Sequence, residues 1–499
     1  MSGILVAGTT SDAGKSVVTT GLCRALARRG VRVAPYKAQN MSNNSMVCAH
    51  GGETDLETGL ETGVEIGRAQ WVQALAAQAT PEAAMNPVLL KPGSDQRSHV
   101  VLMGRPWGEV SSSDWLDGRR ALAAAAHAAF DDLASRFDVV VAEGAGSPAE
   151  INLRAGDYVN MGLARHAGLP TVVVGDIDRG GVFAAFLGSV ALLSPEDQAL
   201  VAGFIVNKFR GDLGLLAPGL RDLERLTGRR VYGTLPWHPD LWLDSEDALD
   251  LEGRRATGAG ARRVAVIRLP RVSNFTDVDA LGLEPGLDVV FVSDPRALGD
   301  ADLVVLPGTR ATIADLAWLR SRGLDRAVSD HVAAGKPLLG ICGGFQMLGN
   351  VIRDPDGIEG RPGEVDGLGL LDVETTFAAE KVLRLPQGSG LGVPASGYEI
   401  HHGRITRGAG VEDFLGGART AQVFGTMWHG SLEGDKLRAA FLQTTLGLEP
   451  SGVSFPAARQ RRLDLLGELV EQHVDVDALL DLMSHGTNTN LPFLAPGAP

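Results

Sequence analysis

Gly340-Ile341-Cys342-Gly343-Gly344 sets a thiol between glycines, where the apolar run "KPLLGIC" gives way to the helical run "GFQMLGN". This is the form of a nucleophile elbow with Cys in place of Ser. The glycines permit a strained turn. The positive end of the following helix favours a thiolate, and the Gly343 N–H points to where an oxyanion would form. The competing reading is a small buried core residue, which is what most free cysteines are. "VVLPGTR" (304–310) ends another strand-like run in Pro307-Gly308-Thr309 and offers the Gly308 N–H as a second oxyanion donor. A thiol nucleophile needs a base. His429, in "VFGTMWHGSLEG", follows a strand-like run and is the candidate; alone, such a His is a packing or surface residue.

A second chemical signal opens the chain. "GTTSDAGKS" (8–16) lies between the apolar run "GILVAG" and the helical run "VVTTGLCRALARRG". A phosphate loop needs this context. Backbone N–H groups from Thr10 to Gly14 cradle phosphate oxygens, Lys15 reaches the outer phosphates, and the Ser16 hydroxyl takes Mg²⁺. The usual first glycine is displaced: Gly8 comes one residue early and Thr9 holds its place. The bland alternative is a glycine-rich turn with an exposed lysine. Lys37 ends the second apolar run, "VAPYK". It is either close to the transferred phosphate or a solvated strand-end lysine. Glu143 ends "VVVAE", where a buried carboxylate is costly unless paired, and it is a candidate oxygen ligand for Mg²⁺.

Positioning these groups is the task of alternating strands and helices. "GILVAG", "VRVAPYK", "FDVVVAEG", "PTVVVGDID", "AGFIVNKF" and "RVYGTLPW" read as buried parallel strands of a doubly wound α/β domain spanning 1–240. Residues 241–262 turn charged, then rich in Gly and Ala, and read as a linker. "RVAVIRLP", "DVVFVSD", "DLVVLPG" and "KPLLGIC" begin a second doubly wound α/β domain, 263–445. Residues 446–484 read as helices that close the second domain or brace the interface, and 485–499 as a disordered tail. The repeated "LETG" within 51–67 reads as a loop insertion without structure of its own.

The 499 residues carry 60 acidic against 46 basic side chains, a net charge of −14, which argues against nucleic acid as a main partner. Three cysteines, Cys23, Cys48 and Cys342, fit a reducing compartment rather than a disulfide framework. No run reaches the length of a membrane span, so the chain reads as a cytoplasmic protein acting on small molecules.

The displaced glycine of the phosphate loop resembles the dethiobiotin synthetase group, which activates carboxylates with ATP. That resemblance implies ATP and Mg²⁺ as cofactors, a third metal ligand after the second strand (Glu65 is the candidate), and an adenine contact from Asn207 in "FIVNKFRGD". Thr10 stands where related partitioning ATPases carry an extra lysine. The elbow, the Pro-Gly loop and the late His resemble a class I glutamine amidotransferase domain, flavodoxin-like in fold. Such domains hydrolyse glutamine through a glutamyl thioester, and they place an acid two residues after the His. Here that position is Ser431, which leaves a Cys–His dyad or an orienting group from elsewhere, with Glu433 as a substitute. Gln346 falls where that family has a Gln near the elbow.

"YKAQNMSNNS", "EIGRAQ", "MNPVLLKP", "VVVAEGAGSPAEINLR", "GDIDRGGVFA", "VNKFRGD", "LPRVSNFTDVDAL" and "SGYEIHHGR" occur in this order. As a set they resemble the cobyric acid synthase family across nearly the whole chain. The resemblance implies ATP- and glutamine-dependent amidation of a corrinoid in cobalamin biosynthesis. The neighbouring alternative is cobyrinic acid a,c-diamide synthase, and a different class is a non-catalytic nucleotide switch with a decayed amidotransferase domain. Gln39, Asn40 and Asn43 form an amide-rich loop suited to a corrinoid's polar side groups, or a plain polar loop. Asp176, Asp178 and Arg179 end a strand where doubly wound sheets bind ligands, or form a salt-bridged corner. Thr276 or Asp277 caps a helix, or serves a domain interface or the substrate site. Glu399 and His401 face the glutamine pocket or alternate on a strand.

Overall fold

The computed structural model describes residues 3–54, 61–94, 97–111, 115–239, 241, 261–488 and 490–497. The six apolar runs of the first half form one parallel sheet. Its order is Arg230–Pro236, Val201–Phe209, Thr171–Asp176, Gly3–Gly8, Val139–Glu143, Val33–Tyr36. Leu5 and Ala7 feed one hydrophobic cluster while Ile4 and Val6 feed another on the opposite face. Both faces are therefore covered, which is why these strands read as continuous apolar runs rather than alternating ones.

The second half builds a sheet of the same kind. Leu287–Val292, Arg262–Ile267, Leu303–Leu306, Leu338–Ile341 and Val423–Thr426 lie parallel in that order, and two short antiparallel strands, Gly417–Arg419 and Glu412–Phe414, extend one edge. The chain is thus α/β with two doubly wound units, as the sequence patterns imply.

Three further sheets among the described residues have no counterpart in the sequence patterns, and two of them bear on the sites. Gln39–Met41, Val88–Ser94, Arg97–Leu102 and Arg105–Ser111 form a small sheet on the first unit. Ser45–Thr54 and Glu61–Gly67 form an antiparallel hairpin. This corrects the expectation of an unstructured insertion at 51–67. Val64 and Ile66 are buried with Cys48, which holds the hairpin arms in register. The insertion's tip, 55–60, lies outside the described residues. Thr62 pairs with Arg384 of the long strand Val373–Arg384, so the hairpin joins a mixed sheet belonging to the second unit.

The helix Phe455–His473 packs back on the first unit. Gly21 of the helix Lys15–Arg28 lies against Leu466 and Val470, and Arg24 bonds Asp464 at 2.7 Å. The tail from 485 is also held, contrary to the disorder expected of it. Arg229 donates to the Pro492 carbonyl at 3.1 Å, Gln198 Nε2 to that of Leu494 at 2.9 Å, and Leu494 packs on the first unit's core. The expected linker lies almost wholly outside the described residues.

Candidate active sites

Strand Leu338–Ile341 ends at Cys342, which takes φ 51° and ψ −111°, and helix Gly343–Leu348 starts at the next residue. A non-glycine side chain at positive φ is costly and is found where surrounding structure enforces it. Here the Cys342 N–H donates to the Thr426 carbonyl at 2.8 Å and the Cys342 carbonyl accepts from Gln346 N–H at 2.9 Å. The thiol is thereby turned out of the strand. The neighbouring loop carries Gly308, where an added Cβ would stand 2.9 Å from His429 Cε1. Glycine is what lets this loop lie against His429.

His429 is fully buried and stacks on Tyr398 with ring centroids 5.4 Å apart. Its Nδ1 bonds Asp277 Oδ2 at 2.7 Å, and Asp277 Oδ1 accepts the Gly430 N–H at 2.7 Å. Burial pushes the imidazole pKa down, but the Asp277 carboxylate and the Cys342 sulfur outweigh it and hold the pKa up at about 10. His429 is therefore an imidazolium at neutral pH and faces Cys342. The orienting acid is Asp277, from the turn Phe275–Val278, and not a residue after the His. Glu433, the expected substitute, is engaged elsewhere: it pairs with Arg68 at 2.7 Å and Arg459 at 2.9 Å.

The segment holding Asp277 touches three parts of the machinery. Ser273 N–H donates to the Gly308 carbonyl at 2.9 Å and Arg310 N–H to that of Arg271 at 3.0 Å, which clips the segment to the Gly308 loop. Asn274 Oδ1 accepts the Ser45 N–H of the first unit at 2.9 Å. Thr276 is buried in the same turn.

At the other centre, Gly14 adopts φ 95°, and a Cβ there would come within 1.9 Å of Asn207 Nδ2. Only glycine fits. Asn207 Nδ2 donates to the Ala13 carbonyl at 3.0 Å, which braces the loop. Lys15 Nζ is folded onto the carbonyls of Thr10, Ser11 and Gly146 at 2.8, 3.0 and 3.2 Å. Ser16 Oγ and Lys37 Nζ each donate to Glu143 Oε1 at 2.9 Å, and Gln73 Nε2 donates to Oε2 at 2.5 Å. Glu143 is completely buried, which pushes its carboxyl pKa up, yet Lys37 outweighs that and holds it ionised. The phosphate-loop serine, the strand-end lysine and the strand-end acid thus meet at one point.

Residues 4–250 match the family described as "CobQ/CobB/MinD/ParA nucleotide binding domain", and residues 263–437 that described as "CobB/CobQ-like glutamine amidotransferase domain". A "Cobyric acid synthase" from Mycolicibacterium gilvum (strain PYR-GCK) is 80% identical over 499 residues, covering 100% of both chains. One from Mycobacterium tuberculosis (strain ATCC 25618 / H37Rv) is 82% identical over 502 residues, again covering 100% of both. The chain belongs to the cobyric acid synthase family. A solved glutamine amidotransferase structure, 23% identical, matches 37% of this chain and 99% of its own at a TM-score of 0.30. This member of the cobyric acid synthase family is accordingly a glutamine-hydrolysing amide ligase with a nucleotide-binding domain. Among the described residues, no helix is long and apolar enough to cross a membrane.

Several residues expected at the family's sites lie elsewhere. Glu65, expected on the metal, is buried between two ammonium groups: Lys91 Nζ on Oε1 and Lys381 Nζ on Oε2, each at 2.5 Å. Burial pushes its carboxyl up, but Lys381 and Lys91 hold it far below the usual carboxylate range. Its partners are lysines from both units, not the phosphate-loop Ser16 that Glu143 meets, so the metal assignment is corrected to an ion triad between the two units. Among the described residues, no group of three or more His, Cys, Asp or Glu could hold a metal. Asn40 is buried and donates from Nδ2 to Gln70 Oε1 at 3.0 Å. Gln39 Oε1 accepts from Tyr158 Oη at 2.5 Å, and Asn43 is half-buried. Asp176 binds Lys208 at 2.8 Å, Asp178 pairs with Arg210 at 3.3 Å and Arg179 with Asp12 at 3.3 Å, a salt-bridged corner beside the phosphate loop. Glu399 stands 3.9 Å from His401, which lines the cavity at Cys342 together with Gln346.

Proposed function

We propose that this enzyme converts adenosylcobyrinic acid a,c-diamide to adenosylcobyric acid by amidating the b, d, e and g side-chain carboxylates, with ATP and glutamine. The observation that carries the reading is the Cys342–His429–Asp277 array in the same chain as the Lys15–Ser16–Glu143–Lys37 cluster. The first array liberates nitrogen and the second energises an acid.

At the thiol centre, the Cys342 thiolate adds to the glutamine carboxamide carbon. The N–H groups of Gly343 and Gly308 receive the oxyanion, and His429 gives its proton to the departing nitrogen, which leaves as ammonia. Asp277 keeps the ring oriented. Water, deprotonated by His429, then cleaves the thioester to glutamate. At the phosphate centre, the loop amides of Thr10 to Gly14 and Lys15 hold the triphosphate, and Asn207 braces the loop beside the adenine. Lys37 steadies the charge on the moving phosphoryl group. A corrinoid carboxylate oxygen takes the γ-phosphoryl group to give an acyl phosphate and ADP, and ammonia then displaces phosphate to form the amide. An ionised buried carboxylate next to a phosphate-loop hydroxyl is a hard-oxygen pair that fits Mg²⁺, so Ser16 and Glu143 would hold it. Bound there, the ion screens the phosphate charge. Gln39 and Asn43, with the Asp176–Asp178–Arg179 corner, are the candidate corrinoid contacts. Ammonia in neutral water is mostly ammonium, which cannot attack, so joining the centres in one chain keeps the nucleophile usable.

Supplying each corrinoid and counting new amides by mass spectrometry tests the substrate. Four amides on the a,c-diamide are expected, and amidation confined to the a and c groups would assign the neighbouring synthase activity instead. Cys342→Ala should lose glutamine-driven amidation and keep that driven by ammonium salt, whereas Lys15→Ala should lose both.

A further inference from the structure

The cavity beside Cys342, about 310 Å³, is not enclosed by the amidotransferase unit alone. Cys342, His429 and Gln346 form part of its wall, and Lys91, His99 and Val101 of the first unit complete it. Its described lining is rich in basic groups: Lys91, Arg310 and Lys381 against Glu359. Burial, with Arg310 and Lys381 nearby, pushes His99 down to about 4, and burial with Lys381 does the same for His402, so both rings are uncharged at neutral pH. The Glu359 carboxylate is already engaged by the Thr312 hydroxyl at 2.9 Å and the Ile313 N–H at 3.0 Å.

Lys91 and Lys381 share one carboxylate, Glu65. Two ammonium groups on one carboxylate leave a net positive charge in a buried setting, where an unbalanced charge is costly. An ammonium has three N–H donors. Lys91 directs one to Glu65 and one to Ser45 Oγ at 2.9 Å; Lys381 directs one to Glu65. Donors remain on both. The cavity that these lysines and Cys342 both line is therefore built to take an anion. Glutamine with its carboxamide at Cys342 carries one anionic group, the α-carboxylate.

We propose that Lys91 and Lys381, clamped together on Glu65, form the subsite for the α-carboxylate of glutamine, so that the nucleotide-binding unit finishes the glutamine pocket. The proposal rests on Cys342 being the glutaminase nucleophile. The two lysines select an amino acid over a simple amide and tie glutamine binding to the docking of the two units.

The test uses the full chain, with glutamate release as readout and 4-aminobutanamide, which is glutamine without its α-carboxylate, as competitor. Lys381→Gln should raise the KM for glutamine about tenfold or more, the worth of a hydrogen bond to a charged group, while kcat changes far less. The inhibition constant of 4-aminobutanamide should stay within about twofold, because it never used the subsite. Lys381→Arg should recover most of the glutamine affinity. If Lys381→Gln proves too unstable to assay, Lys91→Gln is read in the same way. Equal weakening of glutamine and 4-aminobutanamide, or an unchanged glutamine KM in both lysine variants, overturns the proposal while leaving the nucleophile in place. Glutamate release that persists in Cys342→Ala overturns both.

Discussion

Asp277 and His429 lie 152 residues apart in the chain and 2.7 Å apart in space, joined through Oδ2 and Nδ1. The bond fixes which imidazole nitrogen faces Cys342, and the second carboxylate oxygen locks the following Gly430 N–H. Replacing the acid by its amide keeps the shape and removes the charge. Asp277→Asn should lower glutamine hydrolysis by about 10²–10⁴-fold, the usual worth of a correctly oriented base. Amidation from ammonium salt should persist, and comparing the two nitrogen sources separates this from unfolding.

The same pair makes stability depend on pH. The His429 pKa is about 10 in the folded protein against an ordinary 6.5. A raised pKa means that the stabilisation is complete below about 6.5 and is lost as pH rises through 10. Lys91 works in the opposite direction, since burial lowers its pKa to about 8 despite Glu65. The difference in melting temperature between wild type and Asp277→Asn isolates the His429 contribution. It should be largest near pH 6 and shrink toward pH 10. A constant difference across that range would show that the pair stays uncharged.

Much of the frame was legible because its strands are buried on both faces. Runs such as "VVVAE" and "TVVVGD" admit little else, and "GICGG" and "GKS" mark the turns where chemistry sits. The third member of the thiol array was not legible by spacing. Asp277 sits in "SNFTD", a stretch singled out in the sequence, but a turn acid reads as a helix cap until the fold folds that turn back onto His429. Glu65 misled for the converse reason: its neighbours Lys91 and Lys381 come from another sheet and another domain. Local pattern predicts what a backbone does, and it carries no information about which distant charge will meet a buried acid.

Glu65 also sets a stability prediction. It is fully buried, and the two lysines it holds come from opposite sides of the domain boundary. Glu65→Gln strands both ammonium groups and should destabilise the chain by about 3–5 kcal/mol, the cost of removing one partner from a buried pair. Because its folded pKa is depressed, the contribution is present above the ordinary carboxylate pKa and fades as pH falls below it. Denaturant melts of wild type and Glu65→Gln should therefore converge in acid.

Gly14 offers a test confined to the phosphate centre. Gly14→Ala would set a Cβ against Asn207 and force a non-glycine residue to φ 95°. Nucleotide binding, followed by calorimetry, should be lost, while Cys342-dependent glutamine hydrolysis in the absence of ATP should change little. Adding Asn207→Ala removes the collision but not the backbone strain, so the double variant should still bind nucleotide more weakly than Asn207→Ala alone.

Asn274, in the segment that holds Asp277, accepts a backbone N–H of the nucleotide-binding unit, that of Ser45 at 2.9 Å. Ser45 in turn receives Lys91 through its hydroxyl. Any shift of the loop that carries Ser45 would therefore reach His429 through three residues of chain. Asn274 itself has φ 50° and ψ 39°, a conformation that glycine adopts without cost. Asn274→Gly thus deletes the bond and spares the turn. We expect ATP and corrinoid to stimulate glutamate release in the wild type. In Asn274→Gly that stimulation should fall by about fivefold or more, the lower end of typical coupling between sites, with the unstimulated rate nearly unchanged. Equal stimulation of both proteins would mean that the bond merely docks the units and that the signal to His429 travels by another route.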